Sequence, residues 1–552
     1  MWRISNAVSG LPSVRWAGWL LLACSPVVLA AQPAEPANTS LGLYDAGQFR
    51  PVTADCQACL LLPQARWYFK GETFAIPDAG QPVTLYAADK RGADDVAALD
   101  PQALPGLVWT GTTRQWENVR LLADGKQLQW PDGTTTPFAI VPKIPTNLSY
   151  WNQDTQAFYS QRPLSIRGEQ VGQQIVARSL WPQDFKLNLQ APLEPLQAHE
   201  SLQQLVQFEH GGARSAYASR LLWQKTPAVA SQLAGKAVLG ILLNGAQGDD
   251  DEAHGGHFAL VTGVMNAAGD YGNWLVNNYY NLATHSEKGI ISAVTPMDKY
   301  MADLNSGQAF YRPSYLLVAV FSQPAIPAHV QALSNRVQQH FYRNDLVYDL
   351  ARNNCTGISM DVLRHLGWQV PARGAESLLK ASAFYWYAAI SEHSLQQGRA
   401  MYDYLSTEMT RLFPAVAFDA IGNDLLHIAR TADRKTLTST AMQAMPQQLE
   451  AIYFVRIPQI PSSRANGLAP VYSFAQYLQQ APADRSQWKI IPVTPNPLPA
   501  HLKDGLALTP EKPALVPVPA MLLLIGAMGM AGFLPCVVYR RWCAWRKTRI
   551  KP

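Results

Sequence analysis

Residues 237–245, AVLGILLNG, are apolar almost throughout, too short for an ordinary helix and closed by a turn pair. Such a run predicts a strand buried in a core. Three further runs also read as strands: HFALVTGVM (257–265), the more polar NWLVNNYYN (273–281) and the apolar SYLLVAVFS (314–322). The connection NAAGDYG between the first two is rich in turn residues and predicts a hairpin. In 327–342, PAHVQALSNRVQQHFY, apolar residues recur at helical spacing, and 375–450 reads as largely helical. YFVRIPQIP (453–461) returns to strand. Earlier in the chain, 40–150 is rich in Trp, Val, Pro and Gly, with the turns PDAG, ADGK and PDGT at short spacing, and predicts a small β-rich module.

The two ends differ from the rest. Residues 1–31 carry Arg3 and Arg15, then an apolar core, then Ala30 and Ala31, which is the pattern of a secretory signal peptide. Residues 491–518 are Pro-rich and read as a stiff tether. The stretch 519–538 has the length and apolarity expected of a transmembrane helix. The tail 539–552 holds Arg540, Arg541, Arg546, Lys547, Arg549 and Lys551 and no acid, so it is expected on the cytoplasmic side. With both ends set aside, 37 Lys and Arg remain against 40 Asp and Glu. The formal charge of +5 therefore resides in the ends, and the balance gives no sign of nucleic-acid binding. The expected setting is the inner membrane of a bacterium, single-pass, with the bulk of the chain in the periplasm and membrane lipid as a partner.

Six cysteines divide along the same lines. Cys24 lies in the signal segment, and Cys536 and Cys543 in or behind the apolar C-terminal stretch. Three remain. Cys56 and Cys59, in DCQACLL, are close enough to pair as a small disulfide in an oxidising compartment. Cys355 is the odd thiol and so a candidate reactive group.

Its surroundings strengthen that reading. In YDLARNNCTGISMDVLRHLGW (348–368), Asn353 and Asn354 are good helix caps, and Ile358, Val362, Leu363 and Leu366 share one face. Gly367 closes the helix, with Pro371 just beyond. Cys355 is thus expected in the first turn, where free amides and the helix dipole favour a thiolate and can receive an oxyanion. A thiol nucleophile needs a base. His257 opens a strand directly after Gly255 and Gly256 and is the candidate. Antiparallel pairing of 257–265 with 273–281 brings Asn277, Asn278 and Asn281 near it as candidates to orient the imidazole, with Asn281 almost opposite. A reactive pair is expected to border an open cleft. A metal site built from His254, His257 and the acids 249–252 is the rival arrangement, although the acidic run reads more simply as a solvated loop. No metal or organic cofactor is expected.

The order of Gly-His strand, polar second strand and Asn-Asn-Cys cap resembles circularly permuted papain-like folds of the NlpC and lecithin-retinol acyltransferase type. The patches ARSLWPQDFKL (177–187), GGHFALVTG (255–263), DLNSGQAFYRPSYLLV (303–318) and YDLARNNCTGISMDVL (348–363) are similar to the N-terminal periplasmic domain family of the Lnb lipoprotein transacylases. The resemblance covers roughly 150–370. It implies Cys355 as nucleophile, His257 as base, and acyl transfer or amide or ester cleavage near a membrane, on a lipoprotein, phospholipid or peptidoglycan peptide. The expected fold class is α+β. It comprises an all-β module (40–150), a permuted papain-like domain (151–372) with an antiparallel sheet and a nucleophile helix, a helical region (373–490) and one transmembrane helix. A non-catalytic periplasmic binding module is the alternative function.

Overall fold

The computed structural model describes residues 40–53, 56, 62–83, 99–112, 114–144, 147, 151–226, 230–247, 255–281, 289–481, 497–503, 516, 517, 519 and 520. They belong to one compact unit. Its architecture is mixed α/β, built on a seven-stranded sheet and a closed five-stranded barrel.

The barrel strands are β1 (Arg114–Leu121), β2 (Gln127–Gln129), β3 (Thr135–Ile140), β4 (Leu164–Val171) and β5 (Gln174–Pro182), closed in the order β1-β2-β3-β5-β4. The sheet strands are β6 (Ala218–Gln224), β7 (Ala237–Asn244), β8 (His257–Val264), β9 (Leu275–Asn278), β10 (Ala293–Pro296), β11 (Ser314–Phe321) and β12 (Leu449–Ile457). They lie in the order β6-β12-β11-β7-β8-β9-β10, all antiparallel. Helices α1 (Ala325–Tyr342), α2 (Cys355–His365), α3 (Leu378–Ser391), α4 (Leu395–Ser406) and α5 (Pro414–Thr431) follow β11 in the chain.

Antiparallel sheets often leave one face to water, and their strands then alternate. Here β7 and β11 are buried at every position, because both faces are covered. Leu239, Ile241, Leu243 and Leu317 join the core formed with α1, α2 and α5. Val238, Leu242, Leu316 and Val318 join the core that contains Trp116, Ile166 and Trp181 of the barrel. At the sheet's centre Gly240 has no room for a side chain, since a Cβ there would lie 2.9 Å from Val261 Cβ and 3.0 Å from a Leu316 methyl.

This architecture corrects the expected fold class. Residues 40–150 are not a free-standing β module: β1 to β3 close into the barrel only by pairing with β4 and β5, beyond residue 150. The strand pairs Phe49–Thr53 with Thr73–Pro77 and Ser40–Leu41 with Tyr44–Asp45 lie outside the barrel. In the mostly helical 373–490 stretch, the strand expected at 453–461 is β12, which runs Leu449–Ile457 and is inserted between β6 and β11. Hydrophobic periodicity reports how each segment is buried, not which distant segment it pairs with. The single transmembrane helix is also corrected: no described helix is long and apolar enough to cross a membrane. Of the 519–538 stretch only Pro519 and Ala520 lie within the described residues. The signal segment 1–31 and the tail 539–552 lie outside them, as does most of the tether 491–518.

Buried ion pairs join the barrel to the chain after β10. Arg167 of β4 donates to both oxygens of Asp298, at 2.9 and 3.0 Å, and Gln115 of β1 donates to Asp298 at 3.0 Å. Arg178 of β5 and Lys299 both donate to Asp303 Oδ2, at 2.6 and 2.7 Å. The Lys299 ammonium also lies 3.5 Å from the centre of the Trp109 ring. Burial would raise the Asp303 pKa, but Arg178 and Lys299 outweigh it and hold the carboxyl well below its usual range. Burial pulls Lys299 down to about 8 against the attraction of Asp303.

Candidate active site

The site forms where the start of β8 meets the start of α2. Asn354 caps α2 in extended conformation, its side chain accepting from the Gly357 amide at 2.7 Å while its Nδ2 donates to the Leu350 carbonyl at 3.0 Å. That cap places Cys355 at the first helical position. Asn353 lies one residue further out, in the turn closed by its amide on the Asp349 carbonyl, and makes no part of the cap. At the far end Gly367 stops the helix in a left-handed conformation (φ 95°), where a Cβ would meet Ser439 at 2.6 Å.

His257 enters β8 through Gly256. That glycine is left-handed (φ 85°), and a Cβ on it would come 2.7 Å from the Asn244 carbonyl. Glycine is therefore required for the turn into the strand.

The imidazole stands near enough to the Cys355 thiol for its charge to act on the sulfur. Burial alone would raise that thiol's pKa. The charge of His257, its hydrogen bond, the Phe258 amide and the Thr356 hydroxyl outweigh burial and bring the thiol down to about 7. On the other side of the ring, Nε2 lies 2.6 Å from Asn278 Oδ1. The Asn278 amide is oriented by its Nδ2, which donates to the Ile291 carbonyl at 3.1 Å. Its Oδ1 can only accept, so Nε2 is the donor in this bond, and in the neutral ring Nδ1 is then the acceptor. Tyr280 packs edge-on to the ring, with centroids 6.0 Å apart.

Of the three asparagines, the sheet register selects Asn278. Leu260 lies opposite Asn277 and Thr262 opposite Leu275. Opposed residues share a face, so Asn278 shares that of Ala259 and, two residues on, of His257. Asn277 faces α1, where Gln331 Nε2 donates to its Oδ1 at 2.9 Å and its own Nδ2 donates to Gln331 Oε1 at 3.1 Å. Asn281 lies beyond the end of β9. The pair is buried, whereas the sequence suggests one bordering an open cleft: Cys355 and His257 are each only 4 % exposed.

No family model, curated protein or solved structure matches this chain. The chemistry of the site therefore rests on its own geometry. Among the described residues no group of His, Cys, Asp and Glu is arranged to hold a metal. His254 and the acids 249–252 of the rival metal arrangement lie outside those residues. Cys355 is the free cysteine of the described chain, whereas Cys56 is disulfide-bonded. Cys59 lies outside the described residues.

Sequence reasoning missed three partners of the pair. The Phe258 amide helps draw the thiol pKa down, Tyr280 flanks the ring, and the Tyr348 hydroxyl accepts from the Cys355 amide at 3.4 Å. Tyr348, seven residues before Cys355 in a polar segment, was the one signal in reach.

The arrangement yields a direct expectation for Asn278. Asn278→Ala removes the acceptor that holds the proton on Nε2, and the neutral ring then divides between tautomers. Thiol reactivity at pH 7 should fall a few-fold, with Asn278→Gln restoring less than half of it. Alkylation rates at fixed pH, with near-UV circular dichroism to verify the fold, check this. Unchanged rates in Asn278→Ala would remove it from the site.

Proposed function

We propose that the protein is a cysteine acyltransferase or hydrolase acting on an acyl or amide substrate in the periplasm. The observation that carries this reading is the Cys355–His257–Asn278 chain, in which a thiol at a helix N-terminus is drawn down to about 7 by an imidazole with its tautomer fixed. The disulfide at Cys56 fits an oxidising compartment. The resemblance of the 177–187, 255–263, 303–318 and 348–363 patches to lipoprotein transacylase domains points the same way, toward a lipoprotein, phospholipid or cell-wall peptide as substrate.

The chemistry follows from the placement. His257 Nδ1 takes the proton from Cys355 Sγ. The thiolate adds to the substrate carbonyl, and the C=O π pair becomes an oxyanion. The Cys355 amide faces that oxyanion once it gives up its long bond to Tyr348. Collapse re-forms the carbonyl and expels the amine or alcohol, which takes the proton back from Nδ1. A thioester remains on Cys355. Water or a second nucleophile, deprotonated by the same nitrogen, attacks it and regenerates the thiol, giving hydrolysis or transfer.

Burial of both residues favours one other reading, a non-catalytic binding module in which the pair is part of the core. One experiment separates the two. The protein is mixed with p-nitrophenyl acetate, quenched in acid, and its intact mass and peptides are measured. The proposal expects an added acetyl group on Cys355, absent in Cys355→Ser. Labelling elsewhere, or none at Cys355 after full release of nitrophenol by a chemical control, favours the binding module.

A further inference from the structure

A cavity of about 370 Å³ lies between residues 62–83 and 105–107 on one side and α1 on the other. Its walls are mostly apolar, formed by Leu62, Ile76, Val83, Leu107, Val294 and Tyr342. Its size falls within the range of small-molecule sites, about 300–1,000 Å³. The lining also includes Arg50 and Asp78, whose side chains are 46 % and 44 % exposed, so the cavity reaches the surface at that end.

Two buried polar atoms in the lining, Gln338 Oε1 and Asn335 Nδ2, have no hydrogen-bond partner. Gln338, on α1, is 2 % exposed. Its Nε2 donates to the Asn278 carbonyl at 3.0 Å, which fixes the amide's orientation. Its Oε1 accepts no hydrogen bond. Buried polar side chains are satisfied in the great majority of cases, so this acceptor calls for an occupant that donates. One turn earlier, Asn335 also lines the cavity; its Oδ1 accepts from Gln331 at 2.6 Å, and its Nδ2 has no partner.

We infer that this cavity is a binding site for a small amphipathic molecule. Its apolar body occupies the Leu62–Ile76–Leu107 walls, and an O–H or N–H at its head donates to Gln338 Oε1. A medium-chain alcohol or primary amide has this chemistry. A carboxylate does not, since it brings no donor. The site is separate from the thiol, but it abuts the residue that orients His257, because Gln338 holds the Asn278 backbone.

The test uses two isomers of one formula, 1-octanol and dibutyl ether, which share atoms but differ in having a donor. Each is titrated into the full chain by calorimetry. Octanol should bind at one saturable site, about tenfold more tightly than the ether, as one hydrogen bond to a buried acceptor implies. Gln338→Met should remove the difference. Gly106→Leu should abolish binding: Gly106 lines the cavity, and a Cβ there makes only ordinary contacts, 3.6 Å to Gln339 and 3.7 Å to Val83. Far-UV dichroism of both variants verifies folding. Absence of saturable octanol binding, equal affinities for the two isomers, or binding that Gly106→Leu leaves intact would each overturn the inference. The readout does not involve Cys355, so its outcome is independent of the catalytic proposal.

Discussion

His257→Ala should slow alkylation of Cys355 by iodoacetamide at pH 7 by about sixfold or more, and move the half-maximal pH from near 7 to above 9. The thiol is held at about 7 against its own burial, chiefly by the charge and hydrogen bond of His257. Without them, burial has no comparable opponent. At pH 7 the thiolate fraction then falls from about one half to about one hundredth or less. A more basic thiolate is intrinsically more nucleophilic, with a Brønsted slope of about 0.4–0.5, which returns roughly eightfold over two pH units. The net loss is what the experiment reads. Burial slows the absolute rate in both proteins, so the ratio and the pH profile are the informative quantities. Identical profiles for the two would mean that the residues do not act as a pair.

The second large effect is on stability. Asp303→Ala should destabilise the fold by about 3–5 kcal/mol, the usual loss when one partner of a buried ion pair is removed. Asp303 is fully buried and holds Arg178 and Lys299 on one oxygen, while its other oxygen accepts from the Asn305 and Ser306 amides at 2.8 and 3.0 Å. Deleting it strands Lys299 beneath Trp109 with no anion in contact. The urea midpoint measures the loss. Asp303→Leu combined with Lys299→Met should recover part of it, because a buried charge is then removed along with its partner. The sign with pH follows from the depressed carboxyl. Its contribution is complete above the unfolded carboxylate pKa of 3.8 and is lost as the pH falls through that value and below. Asp303→Ala should therefore show a shallower acid transition than the parent.

The parts of the site legible in the sequence are those set by local rules. Asn354 before Cys355 is a capping signal, and the structure places the thiol at the first helical position. His257 could be chosen because it opens an apolar run after a glycine pair. The choice among Asn277, Asn278 and Asn281 needed the register, which a connection as long as 265–274 does not fix. The true pairing sets Leu260 against Asn277 and turns that side chain toward α1. The barrel was harder still. β3 pairs in parallel with β5 across more than thirty residues, and β1 pairs with β4 around it. Nothing in the turns PDGT and ADGK, which mark only local reversals, announces those partners. The unbroken burial of β7 and β11 was legible as apolar runs, yet what covers each face is a tertiary fact. Cleft and burial likewise depend on packing, and Cys355 is more enclosed than a nucleophile read from sequence suggests.

Titration of the Cys355 thiolate tests the central claim most directly. The absorbance of the protein near 240 nm is followed with pH and corrected with Cys355→Ser, so that the difference reports this sulfur alone. A midpoint near 7 is the predicted result, matching a thiol paired with His257. A midpoint at 9 or above would contradict it, and would make Cys355 an ordinary buried cysteine.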